Sequence, residues 1–204
     1  MSSIVATGTI SGFFQEVVDD ALKAQKVEAT QGATSYLVSL LTDYARPDAG
    51  AGQTLEKPFA FLLDEALHAG APAERFERLR TLGDGVLYGC GFFGEHFEAR
   101  GVDQHYLIGI GTTAYGNAAL MLRRGTCAEG KRPLDILEEL AERFATFVAV
   151  IADVADHTVA MGAASSKNVV KIYERWLKTG SGRLAETLTH QGIMPTRGAK
   201  GTIQ

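Results

Sequence analysis

The chain has 204 residues, of which 46% are hydrophobic and 22% charged, as expected for one globular domain or one domain with a small appended module. A chain of this length can fold without a disulfide or a structural metal, and its net charge of −4 does not by itself indicate a nucleic-acid-binding protein. Because it shows no signal-peptide pattern, no long uninterrupted apolar run and no paired cysteine motif, we expect a cytoplasmic protein without a transmembrane segment.

Helical periodicity recurs along the chain, whereas alternating β-branched stretches are nearly absent. Apolar spacing, caps, prolines and glycines predict eight helices, with Pro58 inside the first turn of the third. In chain order the predicted helices cover about residues 13–22, 34–45, 54–69, 72–100, 102–124, 133–160, 166–178 and 183–190. Polar loops are predicted at 46–53 and 125–132. The expected fold class is therefore all-α, a compact multi-helix bundle with closely packed glycine-rich central helices.

The fourth predicted helix contains five glycines between Gly83 and Gly94, although each glycine inside a helix costs about 1 kcal/mol relative to alanine. Gly89, Gly91 and Gly94 match the G-x-G-x-x-G pattern of dinucleotide-binding folds. That pattern requires a preceding strand and a βαβ unit, and the flanking sequence here is helical. We therefore favour a role of these glycines in packing over a role in nucleotide binding.

Small residues three or four apart allow two helices to approach closely. On the fifth predicted helix, Gly109, Thr113 and Gly116 share one stripe, and the short connection near Gly101 makes the fourth and fifth helices antiparallel neighbours. We expect these stripes to bring the two helices together. The alternative is that the thin glycine face admits a flat ligand between the helices.

Some histidines fall in patterns that other proteins use for cofactors. Glu65 and His68 form one Glu-x-x-His motif, whereas a di-iron bundle needs two such motifs and two further glutamates. The sequence 153–157 (Asp-x-x-Asp-His) is only a loose substitute for the second motif. His96 or His105 would suffice as a single axial haem ligand, but nothing distinguishes them from ordinary histidines.

No nucleophile elbow and no phosphate loop is present, and Cys90 lies in an apolar helix, which favours a core position. The sequence thus shows no catalytic constellation. We predict no cofactor and favour a protein without enzymatic activity.

The last part of the chain differs in charge from the rest. Residues 166–204 carry a net charge of +5, and the first 165 residues carry −9. We therefore divide the chain into a helical core domain (1–165), a basic helical hairpin packed on the core (166–191) and a flexible tail (192–204).

One stripe of the seventh predicted helix is basic. Its members are Lys167, Lys171, Arg175 and Lys178. In the first interpretation, the apolar side of this helix docks on the core and the basic side is solvated. In the second, the stripe binds an anionic partner: nucleic acid, a lipid surface or an acidic protein. In the third, the stripe pairs with acidic residues of the first 165 positions and helps to hold the C-terminal module.

Several short blocks resemble a family of uncharacterised all-helical proteins of proteobacteria. The blocks are Tyr36-Leu37-x-x-Leu40-Leu41, Leu79-Arg80-x-Leu82-Gly83-Asp84, Gly91-Phe92-Phe93, Ala114-Tyr115-Gly116, Glu139-Leu140-Ala141-x-Arg143-Phe144 and Tyr173-Glu174-Arg175-Trp176-Leu177. This resemblance implies a helical fold and no particular activity, because no function is established for the family.

Together these features predict a non-catalytic helical interaction or regulatory protein that forms a homo-oligomer or binds a protein partner. The alternative is a helical protein or enzyme that binds a small molecule or a cofactor, haem or metal, between its glycine-rich helices.

Overall fold

A computed structural model describes residues 10–46, 57–125, 136–161 and 166–195, with the side chains of 124 and 166–168 excepted. These ranges contain nine helices and no strand, so the predicted all-α class is confirmed. The helices are α1 (Ile10–Ala24), α2 (Gln31–Tyr44), α3 (Phe59–Leu67), α4 (Pro72–Ala99), α5 (Gln104–Gly125), α6 (Ile136–Glu142), α7 (Phe144–Met161), α8 (Ser166–Thr179) and α9 (Gly182–His190).

Three helix boundaries differ from the prediction. α2 begins earlier because Thr30 caps it, its hydroxyl accepting a hydrogen bond from the backbone N–H of Ala33. Pro58 precedes α3 as its N-cap and does not lie within the first turn. The single helix predicted over 133–160 is two helices that meet at Arg143, although i→i+4 backbone bonds continue on both sides of that residue.

Contacts between Cα atoms divide the chain into two compact units, unit 1 (Met1–Ala152) and unit 2 (Asp153–Gln204). The sequence predicted a domain boundary after residue 165. Residues 162–165, directly before that boundary, lie outside the described residues. Residues 126–132 of the loop predicted at 125–132, most of the loop at 46–53 and the tail beyond 195 also lie outside them, whereas Gly125 is the last residue of α5.

The central pair of unit 1 is antiparallel, as the sequence predicted. Gly101, at φ +76°, ends α4 with the left-handed residue typical of a helix C-terminus, and α5 starts at Gln104. Gly94 lies beside Gln104 and Gly83 lies beside Tyr115. The segment of α4 from Gly83 to Gly94 has the same length as the segment of α5 from Gln104 to Tyr115, and the two run in opposite directions. The two helices therefore stay in register along this length.

Three glycines of this pair are covered by large side chains. A Cβ atom added at Gly83, Gly91 or Gly111 would come within 3.0 Å of another side chain, which real Cβ atoms essentially never do. The covering side chains are, in the same order, Tyr115 of α5, Ile151 of α7 and Phe144 of α7. α4 is therefore held between α5 and α7, and the absence of side chains at two of its glycines makes both contacts possible.

The stripe predicted on α5 does not make this contact, so that part of the prediction is wrong. Gly109 and Thr113 are exposed, and an added Cβ at Gly109 would meet nothing within 4 Å. At Gly116 the nearest atom would be the Ala141 Cβ at 4.0 Å, an ordinary contact. The periodicity identified residues that share a face, but that face points away from α4.

We expect Gly83→Ala to lower the free energy of unfolding by about 1–3 kcal/mol, because the new methyl group would displace the buried ring of Tyr115. Gly182→Ala, at the first residue of α9, is the matched control and should leave the free energy of unfolding unchanged or raise it by up to about 1 kcal/mol, since an added Cβ there meets nothing within 4 Å. Urea titrations of both variants measure the difference. Similar effects at the two positions would contradict this account of α4–α5 packing.

Candidate functional site

Three helices of unit 1 converge on the carboxylate of Asp84. Tyr36 of α2 donates its hydroxyl hydrogen bond to Oδ1 of Asp84 at 2.6 Å, and Tyr115 of α5 donates to the same oxygen at 2.7 Å. The Asp84 side chain is 14% exposed, and Tyr115 is fully buried. One carboxylate on α4 thus links α2 and α5. We call Tyr36, Arg80, Asp84 and Tyr115 the Asp84 cluster.

The second oxygen of Asp84 faces a cation. Nη1 of Arg80, one turn earlier on α4, donates to Oδ2 of Asp84 at 3.1 Å, and Nη2 of Arg80 donates to Glu77 at 2.9 Å. Side-chain exposure rises from 14% at Asp84 to 36% at Arg80 and 59% at Glu77. Charged groups of alternating sign therefore lead from the buried carboxylate to the surface.

The local sequence explains how the two hydroxyls reach Asp84. Because Gly83 has no side chain, the ring of Tyr115 lies directly against α4, and its hydroxyl meets the next residue of that helix. Phe144 packs against the other side of Tyr115 with ring centroids 5.7 Å apart. The ring of Tyr36 meets Tyr115 edge-on at 6.3 Å, a favourable aromatic geometry.

Burial raises the pKa of Asp84 above its usual range, and the two tyrosine hydroxyls and Arg80 oppose that rise. Burial, together with the charge of Asp84, raises the pKa of Tyr36 and of Tyr115. Both tyrosines therefore remain protonated donors at neutral pH. A carboxylate that already accepts from three side chains is arranged to join helices, and it is poorly suited to take a proton from a substrate.

The structure does not bring the histidine and glutamate candidates together. His68 and Glu65 are exposed at the end of α3, where His68 lies 3.2 Å from the carboxylate of Asp64. His96 is exposed near the end of α4, and the side chain of His105 is 98% exposed. Within the described residues, no three His, Cys, Asp or Glu side chains are placed to hold a metal ion.

In unit 2, acidic residues of α7 hold arginines of the two following helices. Asp156 accepts from Nε of Arg175 at 2.6 Å, and Asp153 accepts two hydrogen bonds from Arg183, each 3.1 Å long. Arg183 also lies 2.8 Å from Nδ1 of His157, and because arginine only donates, this nitrogen is the acceptor. The acids and histidine considered as metal ligands therefore bind arginines.

These contacts change the interpretation of the basic stripe. Arg175 was expected to face outward, whereas its side chain is 22% exposed and paired with Asp156. Lys171 and Lys178 are exposed, and the side chain of Lys167 lies outside the described residues. The opposite side of α8 joins the core of unit 2, which consists of Ile172, Trp176, Leu184 and Leu188.

The structure also accounts for two further features of the sequence, the cysteine at position 90 and the apolar sequence of α7. Cys90 is buried, and burial raises the pKa of its thiol to about 12, so the thiol stays protonated and unreactive. Among the described helices, α7 is long and apolar enough to cross a membrane, with a mean hydropathy of 1.5 and 44% of its residues buried. Core helices of folded domains meet the same criteria, and the two α7 aspartates that hold arginines favour such a role here.

Sequence reasoning missed the Asp84 cluster. Its members fall in three of the blocks that carry the family resemblance, Tyr36-Leu37, Leu79-Arg80-x-Leu82-Gly83-Asp84 and Ala114-Tyr115-Gly116. The sequence offered one signal for this cluster, an acidic residue, Asp84, that follows Gly83 directly before the apolar stretch of α4. The pairing with tyrosines of two other helices depends on packing that no local pattern encodes.

In comparisons with protein families, curated proteins and solved structures, nothing matches this chain. The function of the protein is therefore inferred from the geometry of its own residues.

The pH dependence of stability tests the electrostatics of Asp84. Because its pKa is raised on folding, the folded protein holds a proton that the unfolded chain releases above its ordinary pKa of 3.8. This contribution favours the folded state at low pH and is lost as the pH rises through the folded-state pKa. We therefore expect the free energy of unfolding of the wild type to fall relative to that of Asp84→Asn as the pH rises above 3.8 and through the folded-state pKa of Asp84.

Denaturant titrations at several pH values measure this difference. Asp43→Asn, which removes an exposed carboxylate of α2, controls for the general effect of one lost charge. A difference that stays constant, or that changes in the opposite direction, would show that the hydrogen bonds and Arg80 outweigh burial.

Proposed function

We propose that the protein is a non-catalytic interaction protein of the cytoplasm that self-associates through α5. The observation that carries this proposal is the uncharged exposed side of α5. Between Asp103 and Arg123 the chain carries no acidic or basic residue other than His105, and yet much of this helix is exposed. Depletion of charge at the centre of an exposed face is typical of protein interfaces.

The order of residues along the exposed side of α5 suits pairing with the same helix of a second copy. We call Tyr106, Gly109, Thr113, Gly116 and Leu120 the α5 face. Tyr106 is 54% exposed and Leu120 is 48% exposed, and the two glycines lie on either side of Thr113. In a symmetric antiparallel pair centred on Thr113, Tyr106 of one copy opposes Leu120 of the other, and Gly109 lies within one residue of the position opposite Gly116. The glycines on either side of the centre allow close approach, and the larger side chains fill the ends.

The border of the α5 face is charged, as in most interfaces. A groove of about 420 Å³ runs between α5 and α6, lined by Thr113, Gly116 and Leu120 on one side and by Glu138 and Glu142 on the other. At this border Arg123 pairs with Glu138 at 2.9 Å. A side chain from a second copy that entered the groove beside this ion pair would leave neither Arg123 nor Glu138 without its partner.

Thr113→Lys tests the proposal, because it would place two like charges at the centre of the symmetric pair. Like charges opposite each other at an interface cost several kcal/mol, so we expect the dissociation constant to rise by about 100-fold or more. Thr113 is exposed, and lysine is a good helix former, so the fold should be retained. Light scattering after size-exclusion chromatography and sedimentation equilibrium measure the association.

Ser39→Lys adds the same charge at an exposed position of α2 and should leave association unchanged. A wild-type protein that is monomeric at micromolar concentration would overturn the self-association proposal. Equal effects of the two lysine substitutions would assign the association to another surface.

The ligand-binding alternative receives less support. The positions beside Gly83, Gly91 and Gly111, where a flat ligand would lie, are occupied by side chains of the protein. Native mass spectrometry and an absorption spectrum of the purified protein test this directly. A Soret band, stoichiometric iron or a retained small molecule would reverse the ranking of the two functions.

A further inference from the structure

The exposed side of α8 combines two rows of side chains. Lys171 and Lys178, two turns apart, are both exposed and form a basic row. Val170, 60% exposed, and Leu177, 42% exposed, form an apolar row with the same spacing. Glu174 is exposed and lies between the two rows. We call these five residues the α8 face.

The orientation of α8 is fixed by its other side. Ile172 is fully buried and Trp176 is 7% exposed, and both belong to the core of unit 2 with Leu184 and Leu188. Arg175 is held by Asp156 between the core and the exposed side. The helix cannot turn to bury Val170 and Leu177 without losing these contacts, so both side chains keep their exposure.

We propose that the α8 face binds the surface of an anionic lipid bilayer. Lysines are attracted to anionic headgroups, and exposed apolar side chains next to them enter the boundary between headgroups and acyl chains. Unit 2 also exposes Met161 (61%) and Met194 (79%), which extends its exposed apolar surface. The exposed charge that complements such a bilayer comes from Lys171 and Lys178, since Arg175 and Arg183 are already paired with aspartates of α7.

Two other partners fit the α8 face less well. Nucleic-acid phosphates are contacted by basic and polar groups, and an apolar row beside the lysines adds nothing to such contacts. A protein partner would need a groove shaped to a convex helix, whereas a bilayer boundary accommodates a convex surface as it is. The proposal concerns unit 2 and does not depend on self-association through α5.

Co-sedimentation of the full chain with lipid vesicles tests the proposal. We expect binding to phosphatidylcholine vesicles that contain about one third phosphatidylglycerol, weaker binding at high salt, and little binding to phosphatidylcholine alone. Each lysine near an anionic surface contributes about fivefold to partitioning, so Lys171→Glu/Lys178→Glu should lower binding by about 25-fold or more. Val170→Ser/Leu177→Ser should weaken binding to the same vesicles. Glu174→Gln should strengthen it, because an acid that repels the headgroups is removed.

The matched control is Lys23→Glu/Lys57→Glu, which reverses two exposed lysines of unit 1 and should leave vesicle binding unchanged. Far-UV circular dichroism and the melting temperature verify that every variant is folded. Absence of vesicle binding, equal binding with and without the anionic lipid, or insensitivity to the α8 substitutions would each overturn the proposal. Tighter binding to duplex DNA than to the anionic vesicles would assign the α8 face to nucleic acid instead.

Discussion

The contact between the ring of Tyr115 and Gly83 is the constraint on which the arrangement of unit 1 depends. A side chain at position 83 would occupy the space of that ring, so α4 and α5 could not keep their present distance. The same contact places the Tyr115 hydroxyl 2.7 Å from the neighbouring Asp84. Close packing and buried polar bonding are therefore two consequences of one missing side chain. The helix-propensity cost of Gly83, about 1 kcal/mol, is offset by the close packing of the Tyr115 ring.

The energetics of Asp84 suggest what the cluster does for the fold. Moving a carboxylate out of water costs several kcal/mol, and three hydrogen bonds to a charged group return about 1.5–3 kcal/mol each. The two effects are of similar size, and because the pKa of Asp84 is raised, burial outweighs the hydrogen bonds and the ionised cluster adds little to the free energy of unfolding. A helix shifted by one residue along α4 or α5 would leave the buried carboxylate without its hydroxyl donors. We therefore interpret the cluster mainly as a device that selects one register among α2, α4 and α5.

The sequence predicted the helical class, the antiparallel central pair and most helix positions, because each depends on local periodicity, caps and chain breakers. It did not predict that Asp84 would accept hydrogen bonds from Tyr36 and Tyr115, since these residues are far apart in the chain and only packing brings them together. It left open whether the stripe that contains Arg175 is solvated, binds an anionic partner or pairs with acids of the first 165 residues, because the helical wheel of α8 alone cannot show that Asp156 lies within reach. The sequence therefore predicted properties of single helices, but it did not predict which side chains of different helices contact each other.

The glycines of α5 show why this limit matters for function. Gly109, Gly111 and Gly116 are equivalent in composition, and periodicity groups Gly109 with Gly116 as the packing stripe. The structure covers Gly111 with Phe144 and leaves Gly109 open. A small residue inside a fold is explained by the side chain that covers it, whereas a small residue on an exposed, uncharged helix face has no such explanation within the chain. The proposed pairing of two α5 faces supplies one, because the glycines on either side of Thr113 are where a second backbone could approach closely.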